Sequence, residues 1–216
     1  MKILEPIPGE TPIDPSKLRP YLKGRILSRG QLNAVEGPNI LRAVMKYLAG
    51  KLGTPTSRKA PFTAEWAMRL HKEMFGKVWT WAARLRAIEL TLGVPLWQVQ
   101  TKFYNLFADI HYWQEPDIPL IEQGATLHYR AVAIHPFENG NGRWARLLAN
   151  IWLKQHKEPI TNWPETGIYS TESPIRQEYI ASLKEADQHN IEPLIALHKQ
   201  YSATAANHTE TESDET

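Results

Sequence analysis

The chain has 216 residues, of which 42% are hydrophobic, and it carries 25 basic residues against 23 acidic ones. That length and apolar fraction predict one globular domain with appendages. The absence of cysteine excludes disulfides, thiolate zinc sites and cysteine nucleophiles, and it is typical of a reducing compartment. The first residues break into prolines and charges too early for a signal peptide, and no apolar run approaches the roughly 20 residues of a membrane span. We therefore expect a cytoplasmic protein.

Charge is distributed unevenly along the chain. Residues 202–216 contain four acidic residues and no lysine or arginine, a composition that predicts a disordered polar tail. Without the tail, 25 basic residues face 19 acidic ones, which suits an anionic ligand such as a nucleotide. The basic residues are scattered rather than clustered in a stripe, so nucleic-acid binding is disfavoured.

The pattern of apolar residues predicts a mostly α-helical protein in three parts. Residues 1–30 predict an extended arm, residues 31–201 a helical domain, and residues 202–216 the tail. Gly37-Pro38 predicts a kink or a new helix start, Thr63 can cap a helix, and the Gly-Val-Pro run at 93–95 predicts a small β-hairpin or a loop. Helices are predicted over 31–50, from Thr63 through Met74, and over 97–113, 120–133, 146–155, 173–188 and 191–201.

The segment HPFENGNGRWAR, residues 135–146, has the features of a phosphate cradle. Its Asn and Gly residues tolerate positive φ, so successive backbone N–H groups can turn to one side and bind an anion. The loop leads into a helix whose first N–H groups have no partner within the helix. Arg143 and Arg146 share one face of that helix and indicate a polyphosphate rather than a single phosphate.

His135 precedes this cradle and can accept a proton at neutral pH. A base beside an anchored triphosphate indicates transfer of a phosphorus-containing group to a hydroxyl. Phe137 lies between polar residues and is predicted to anchor the loop in the core. Each feature alone usually has a structural explanation, as a turn, a solvated arginine pair or an exposed histidine. Their order within twelve residues favours a phosphate-binding catalytic site.

The segment resembles the Fic family signature, which runs His-x-Phe-x-(Asp/Glu)-Gly-Asn-Gly-Arg-x-x-Arg. LHKEMFGKVWTWAARLR upstream and EYIASLKEADQHNIEPLIAL downstream are similar to further family segments. TPIDPSKL and SRGQLNAVEGPNI resemble the subgroup called mobile mystery protein B, so the resemblance covers roughly residues 11–200. It implies an all-α Fic-type helical bundle with a small β-hairpin flap.

The resemblance also implies an activity. Fic proteins mostly transfer AMP from ATP to a protein hydroxyl with Mg²⁺ or Mn²⁺, so the expected partner is a protein with a Ser, Thr or Tyr hydroxyl. His135 would be the general base and Phe137 the structural anchor. The residues that would bind the ATP phosphates are Gly140, Asn141, Gly142, Arg143 and Arg146. Kinship further implies a toxin-like or regulatory role in bacteria, with an antitoxin-like regulator as a candidate partner.

The family's flap docks a target segment by strand-like pairing, in which main chain is read more than side chains. By position in this sequence the flap would lie near residues 88–95, and the alternative is an ordinary surface hairpin. The flap residues are Ile88, Glu89, Leu90, Thr91, Leu92, Gly93, Val94 and Pro95.

Asn139 departs from the signature, which has Asp or Glu there to hold the metal. An amide oxygen can coordinate a hard cation, but without the charge. Glu138 is adjacent, yet neighbouring loop residues usually point apart, so it is not a simple substitute. We expect the metal to bind through the phosphates and water. The transfer of AMP would then be slow, or the donor or the transferred group would differ. A further alternative is a nucleotide-binding module without catalysis.

Glu36-Gly37 matches the end of a family pattern, (Ser/Thr)-x-x-x-Glu-(Gly/Asn), that marks an inhibitory helix, although Leu32 stands at the Ser/Thr position. In the family the glutamate pairs with the second motif arginine. The resemblance therefore implies that Glu36 restrains Arg146 and inhibits the enzyme. The alternative is a solvent-facing helix glutamate.

Other residues offer weaker candidates. His128 lies two helical turns before His135, but no further ligand at matching spacing supports a metal pair. Asp109 and Glu138 form no visible catalytic carboxylate pair. Core and flap packing is predicted for Trp66, Trp79, Trp81 and Trp97. Helix caps rather than nucleophiles are predicted at Ser170, Thr171 and Ser173.

Overall fold

A computed structural model describes residues 13–51, 55, 57–110, 112–113, 118–164 and 173–210. The described residues form α-helices joined by loops, and the helices pack into one bundle. Two short 3₁₀ turns, Pro15–Lys17 and Pro20–Leu22, precede the first α-helix. The helices are α1 (Arg29–Leu48), α2 (Ala64–Phe75), α3 (Leu96–Asp109), α4 (Leu120–Ile134), α5 (Asn141–Gln155), α6 (Pro174–Asp187) and α7 (Glu192–Glu210).

The all-α prediction is confirmed, with three differences in detail. α5 begins at Asn141 rather than at 146, so both motif arginines lie on the helix itself. α7 continues to Glu210, which places residues 202–210 of the predicted tail in a helix; residues 211–216 lie outside the described ranges. Within those ranges the β pairing is a single bridge between Leu18 and Trp79, and the predicted hairpin at 88–95 forms no ladder. The three domain ranges as such stay a prediction.

Helix starts follow the capping chemistry of the sequence. The Ser28 hydroxyl accepts a hydrogen bond from the Gln31 N–H at the start of α1, and Thr63 does the same for Trp66 in α2, both at 3.2 Å. Of the two alternatives at Gly37-Pro38, a new helix start is wrong, because α1 runs through Pro38 without interruption. The kink stays a prediction. One turn is reinforced there by the Asn39 side-chain amide, which donates to the Val35 carbonyl at 2.9 Å.

The main core takes buried side chains from α1 to α5, and aromatic rings lie at its centre around the motif loop. Phe137 from the motif loop is fully buried, which confirms its predicted anchoring. Its ring stacks on His71 at 3.6 Å between centroids and meets Trp144 edge-on at 5.0 Å. The motif loop is therefore fixed to the core between two helices, and the start of α5 is fixed with it.

The described part of the N-terminal arm packs against the segment that follows α2. Leu18 is buried and forms the bridge with Trp79, and the Arg19 N–H donates to the Val78 carbonyl at 2.8 Å. Lys17 forms an ion pair with Glu138 of the motif loop. The arm therefore contacts the motif directly. Residues 1–12 lie outside the described residues, and no helix of the described chain is long and apolar enough to cross a membrane.

Gly140 is required by the backbone at the turn into α5. Its φ is +80°, and a Cβ there would lie 2.6 Å from the Phe75 ring. We expect Gly140→Ala to lower the free energy of unfolding by roughly 1–3 kcal/mol, since it combines strain at positive φ with a clash. Urea denaturation measures this change.

The matched control is Gly37→Ala, because a Cβ at Gly37 in α1 meets nothing within 4 Å. Alanine is the better helix former, so this variant should gain roughly 0.5–1 kcal/mol. Equal unfolding midpoints for the two variants would contradict the assigned role of Gly140.

Candidate active site

His135 ends α4 in a left-handed conformation, with φ 51° and ψ 60°. Glycine usually occupies such a position, and histidine accepts it at some cost in strain. The conformation turns the chain from α4 into the motif loop and sets the imidazole at the wall of the central cleft. Strain of this kind at a reactive side chain is typical of functional sites.

Arg86 holds this corner in place. Its buried guanidinium donates from Nε to the His135 carbonyl at 2.9 Å, and the Arg86 N–H donates to the Pro136 carbonyl at 2.8 Å. Further guanidinium bonds reach the carbonyls of Ile88, at 3.0 Å, and of Val94. One side chain therefore ties both ends of the flap to the motif. Sequence reasoning missed Arg86, since an arginine between short apolar runs has no distinguishing pattern.

The flap residues form an open loop over His135 instead of the expected hairpin. Gly93 has φ +93°, and a Cβ there would lie only 2.3 Å from the His135 Cβ. Glu89 accepts a hydrogen bond from the Leu96 N–H at 2.9 Å, which fixes the flap to the start of α3. The Arg86 guanidinium donates to the carbonyls of Ile88 and Val94. Because these carbonyls accept from a side chain, they do not form the backbone hydrogen bonds that a β-hairpin would need.

The side chain of Asn141 stabilises the turn of the motif loop, so it does not bind the ligand. The amide oxygen accepts from the Phe137 N–H at 2.9 Å, and the amide nitrogen donates to the Phe137 carbonyl at 2.8 Å. Asn141 can therefore offer its backbone N–H, and not its side chain, to an anion. It is followed by the N–H groups of Gly142 and Arg143 in the first turn of α5, where the helix dipole also favours negative charge.

His71 supports the motif loop from below. The Ala83 N–H donates to His71 Nδ1 at 3.2 Å, so the ring proton is on Nε2, which donates to the Asn139 carbonyl at 3.1 Å. Burial lowers the pKa of His71 to about 3, and the ring stays neutral at pH 7. The sequence contains no signal for this support.

Glu36 is buried on α1 and pairs with Arg143, not with Arg146 as expected. Its second carboxylate oxygen accepts from Trp79 Nε1. Arg143 also lies over the Phe75 ring, with 4.7 Å from the guanidinium carbon to the ring centroid. The prediction of Arg146 followed the family pattern and was wrong: the first motif arginine, Arg143, is the one that pairs with Glu36 on α1. The alternative of a solvent-facing Glu36 is excluded by its burial.

These groups line one cleft of about 1400 Å³. His135, the start of α5, Glu36 and the flap residues Leu92–Val94 all contribute to its wall. Arg146 lies deeper, with its guanidinium carbon 5.6 Å from the Tyr179 ring centroid. The structure thus brings the predicted base, cradle and arginines together around one space.

Burial first, and the nearby Arg86 charge second, lower the pKa of His135 to about 4. The imidazole is consequently neutral at pH 7 and has a lone pair with which to accept a proton. A bound polyphosphate would raise this pKa, because a nearby negative charge favours the imidazolium.

The residues around Asn139 do not form a metal site by themselves. The Asn139 side-chain oxygen accepts from the Gly140 N–H at 2.6 Å, and Glu138 faces away from the central cleft toward Lys17. Across the part of the chain that the structure describes, no group of three or more His, Cys, Asp or Glu residues could hold a metal ion. The donor set here therefore does not fit a metal held by protein carboxylates.

The remaining sequence candidates separate into buried and exposed groups. His128 does not pair with His135; its ring bonds to His198 and Tyr179 instead. Trp97 is 79% exposed, so the prediction that it packs in the core or flap was wrong. The same prediction is confirmed for Trp66, Trp79 and Trp81, which are buried. Ser173 precedes α6 without making a side-chain cap, while Ser170 and Thr171 lie outside the described residues.

Comparison with known proteins identifies the domain. Residues 61–153 match the model of the Fic/DOC family. The protein adenylyltransferase fic-1 of Caenorhabditis elegans is 37% identical over 119 residues, 53% of this chain and 22% of that protein. The protein adenylyltransferase Fic of Nematostella vectensis is 29% identical over 175 residues, 75% of this chain and 38% of that protein. The chain thus spans less than two fifths of these two curated relatives.

Solved structures share the fold. Fic-1 from C. elegans superimposes with a TM-score of 0.67 at 23% identity, over 85% of this chain and 52% of that one. BepC from Bartonella tribocorum, solved with bound AMPPNP, superimposes with a TM-score of 0.61 at 15% identity, over 82% of this chain and 88% of that one. The matched motif, helical architecture and cleft agree: the chain carries a Fic/DOC family domain.

Proposed function

We propose that the chain is a protein adenylyltransferase that transfers AMP from ATP to a hydroxyl side chain of a protein. The observation that carries the proposal is the placement of a neutral base, His135, beside the anion-binding start of α5 within one cleft. The names of the curated relatives and the AMPPNP bound to BepC support the same chemistry.

The proposed reaction uses these groups as follows. The triphosphate lies against the N–H groups at the start of α5, with Arg143 and Arg146 neutralising the β- and γ-phosphates. The target hydroxyl attacks the α-phosphorus as His135 takes its proton. The bond from the α-phosphorus to the bridging oxygen breaks, and pyrophosphate leaves.

The flap supplies a surface for the target protein. Most of its residues are exposed and form no ladder with one another, while Arg86 fixes both ends of the loop beside His135. An extended segment of the target can pair with this backbone and bring a Ser, Thr or Tyr hydroxyl toward the base. We place this activity in the cytoplasm of a bacterium, where an antitoxin-like partner would regulate it.

Glu36 acts as a brake in this proposal. Its carboxylate occupies Arg143, one of the two arginines that the phosphates require, and adds negative charge to the cleft. Productive ATP binding then requires that Arg143 exchange Glu36 for phosphate oxygens. Because α1 also carries the buried contacts of Glu36 with Trp79, regulation would act through a shift of α1.

Mg²⁺ or Mn²⁺ would enter with the nucleotide, held by phosphate oxygens and water, since Asn139 offers one uncharged oxygen. The divalent cation would supply charge neutralisation at the phosphates. Two alternatives remain open to test: transfer of another phosphate-containing group, and a nucleotide-binding module that lacks catalysis.

The first test is transfer of label from ATP labelled on the α-phosphate, with Mg²⁺ or Mn²⁺, to protein in a bacterial lysate. His135→Asn should lower labelling by at least about 100-fold, because it removes the base but tolerates the left-handed backbone. His189→Asn is the matched control, since His189 is exposed and has φ 65°. It should label like the wild type.

Each other outcome identifies an alternative. Label that appears only from γ-labelled ATP means phosphoryl transfer. ATP binding without label from either position means a binding module. Equal labelling by His135→Asn and His189→Asn would overturn the assignment of the base.

Glu36→Gln should raise both ATP affinity and labelling by about tenfold, because it frees Arg143 while an amide oxygen still accepts from Trp79. Glu73→Gln is the control: it breaks the Lys46–Glu73 pair of 2.6 Å, which lies outside the cleft. Titration calorimetry with ATP and the labelling assay measure the two effects. A Glu36→Gln protein that binds ATP like the wild type would refute the brake.

Asn139→Asp should lower the Mg²⁺ concentration for half-maximal labelling by about tenfold, since a carboxylate binds the hard cation with charge as well as oxygen. Asn105→Asp places the same charge elsewhere on the cleft wall. If both variants shift the Mg²⁺ dependence equally, the effect is general electrostatics and not coordination at position 139.

A further inference from the structure

The N-terminal arm is hydrogen-bonded to the segment that follows α2. The Arg19 N–H donates to the Val78 carbonyl at 2.8 Å, and the Thr80 N–H donates to the Lys17 carbonyl at 3.0 Å. The Thr80 hydroxyl donates to the same Lys17 carbonyl at 2.8 Å, and Arg19 Nε donates to the Gly76 carbonyl at 2.9 Å. These four hydrogen bonds join the arm to this segment.

Trp79 lies at the centre of this contact. It forms an antiparallel bridge with Leu18, and the backbone bonds on either side make the two a non-hydrogen-bonded pair. The side chains of such a pair lie close together on one face. Both are buried, and the Trp79 ring stacks on Trp81 at 5.2 Å between centroids. The arm therefore belongs to the surroundings that fix the position of the Trp79 ring.

The Trp79 ring contacts the brake through its indole N–H. Nε1 donates to one carboxylate oxygen of Glu36, and the other oxygen pairs with Arg143. Glu36 is 2% exposed, so water cannot replace a lost bond without a change in the packing of α1. A buried carboxylate is costly unless its oxygens are bonded. The indole N–H therefore stabilises Glu36 in the position where it occupies Arg143.

Glu36 and Trp79 belong to parts of the chain that are held separately. Glu36 lies on α1, whereas Trp79 lies on the segment that the arm fixes. A shift of α1 that releases Arg143 also separates Glu36 from Trp79, so this bond stabilises the inhibited position and opposes the shift. A firmly held Trp79 thus strengthens the pairing of Glu36 with Arg143, and a displaced Trp79 weakens it.

Resting on the proposed function, we propose that Trp79 is a positioning residue for Glu36 and that the arm sets how firmly Trp79 holds it. Displacement of the arm from the segment after α2 loosens the Trp79 ring, releases Glu36 and frees Arg143. The affinity of the cleft for the nucleotide then rises. The arm is thus the part of the chain through which a regulator acts on the brake without entering the cleft.

The hold of the arm on Trp79 can be measured without nucleotide. Arg19→Pro removes the N–H that bonds to Val78, and proline fits there because Arg19 has φ −55° and ψ 143° and Leu18 before it is extended. Hydrogen exchange of the indole N–H groups, followed by NMR of the full chain, should be roughly tenfold faster at Trp79 in this variant.

The same spectrum contains an internal standard. Trp144 Nε1 donates to the Ala67 carbonyl at 3.1 Å, between α5 and α2, so its exchange should not change. Equal acceleration at Trp79 and Trp144 would overturn the proposal, because the substitution would then loosen the whole bundle. Thr80→Val is the second variant, since it removes the hydroxyl bond to Lys17 at nearly constant shape. Unchanged exchange at Trp79 in both variants would also overturn the proposal.

The consequence for the brake is tested by calorimetry with ATP in two backgrounds. Arg19→Pro should raise ATP affinity by roughly fivefold, and its matched control, Arg19→Met, should raise it less, because methionine loses the guanidinium bond but keeps the N–H. In a Glu36→Gln background, Arg19→Pro should have no further effect, because Arg143 is already free. A gain of equal size in both backgrounds would overturn the proposal, since the arm would then act without Glu36.

The outcomes separate control by the arm from the proposed function. Absent ATP binding by both the wild type and Glu36→Gln would overturn the proposed function, and with it the nucleotide as the ligand that the arm controls. ATP binding by the wild type with unchanged affinity in Arg19→Pro, although Trp79 exchanges faster, would overturn control by the arm and leave the proposed function intact.

Discussion

The Arg86 guanidinium is the contact on which the geometry of the site depends. His135 ends α4 with φ 51°, a backbone that a non-glycine residue holds only when its surroundings enforce it. Arg86 enforces it by binding the His135 carbonyl, and its other bonds to Ile88 and Val94 close the flap over the same residue. His135 and the flap are therefore positioned by one buried charge, which adds to burial in lowering the pKa of the imidazole. Loss of that charge would release the backbone and raise the histidine pKa together.

The anion-binding side of the cleft is built on a separate support. Asn141 clamps the Phe137 backbone, Phe137 is fixed in the core, and His71 holds the Asn139 carbonyl from below. These contacts hold the first turn of α5, whose residues Asn141, Gly142 and Arg143 line the cleft. The arrangement resembles a pre-formed receptor for charge, in which little reorganisation is needed when the ligand binds.

The sequence was sufficient where chemistry is local and insufficient where it is shared across the fold. The turn, the helix entry and the buried Phe137 follow from the order of residues 135–146, because backbone freedom and helix entry are properties of adjacent residues. The partner of Glu36 was taken from the family pattern, and the structure pairs it with Arg143 across two helices that lie far apart in the sequence. Arg86 and His71 likewise act through contacts between distant segments, which periodicity does not encode.

Two features set the charge of the cleft: position 139 carries no acid, and Glu36 contributes a carboxylate. Glu138 is bound to Lys17, and Glu36 pairs with the motif arginine Arg143. When Arg143 exchanges Glu36 for phosphate, no carboxylate at 139 competes with the nucleotide for positive charge. The cleft then favours a more negative ligand than it would with an acid at that position, so affinity for the polyphosphate depends more on the arginines and less on the cation. In the proposed reaction, Glu36 on α1 would therefore control binding of the nucleotide more strongly than metal supply does.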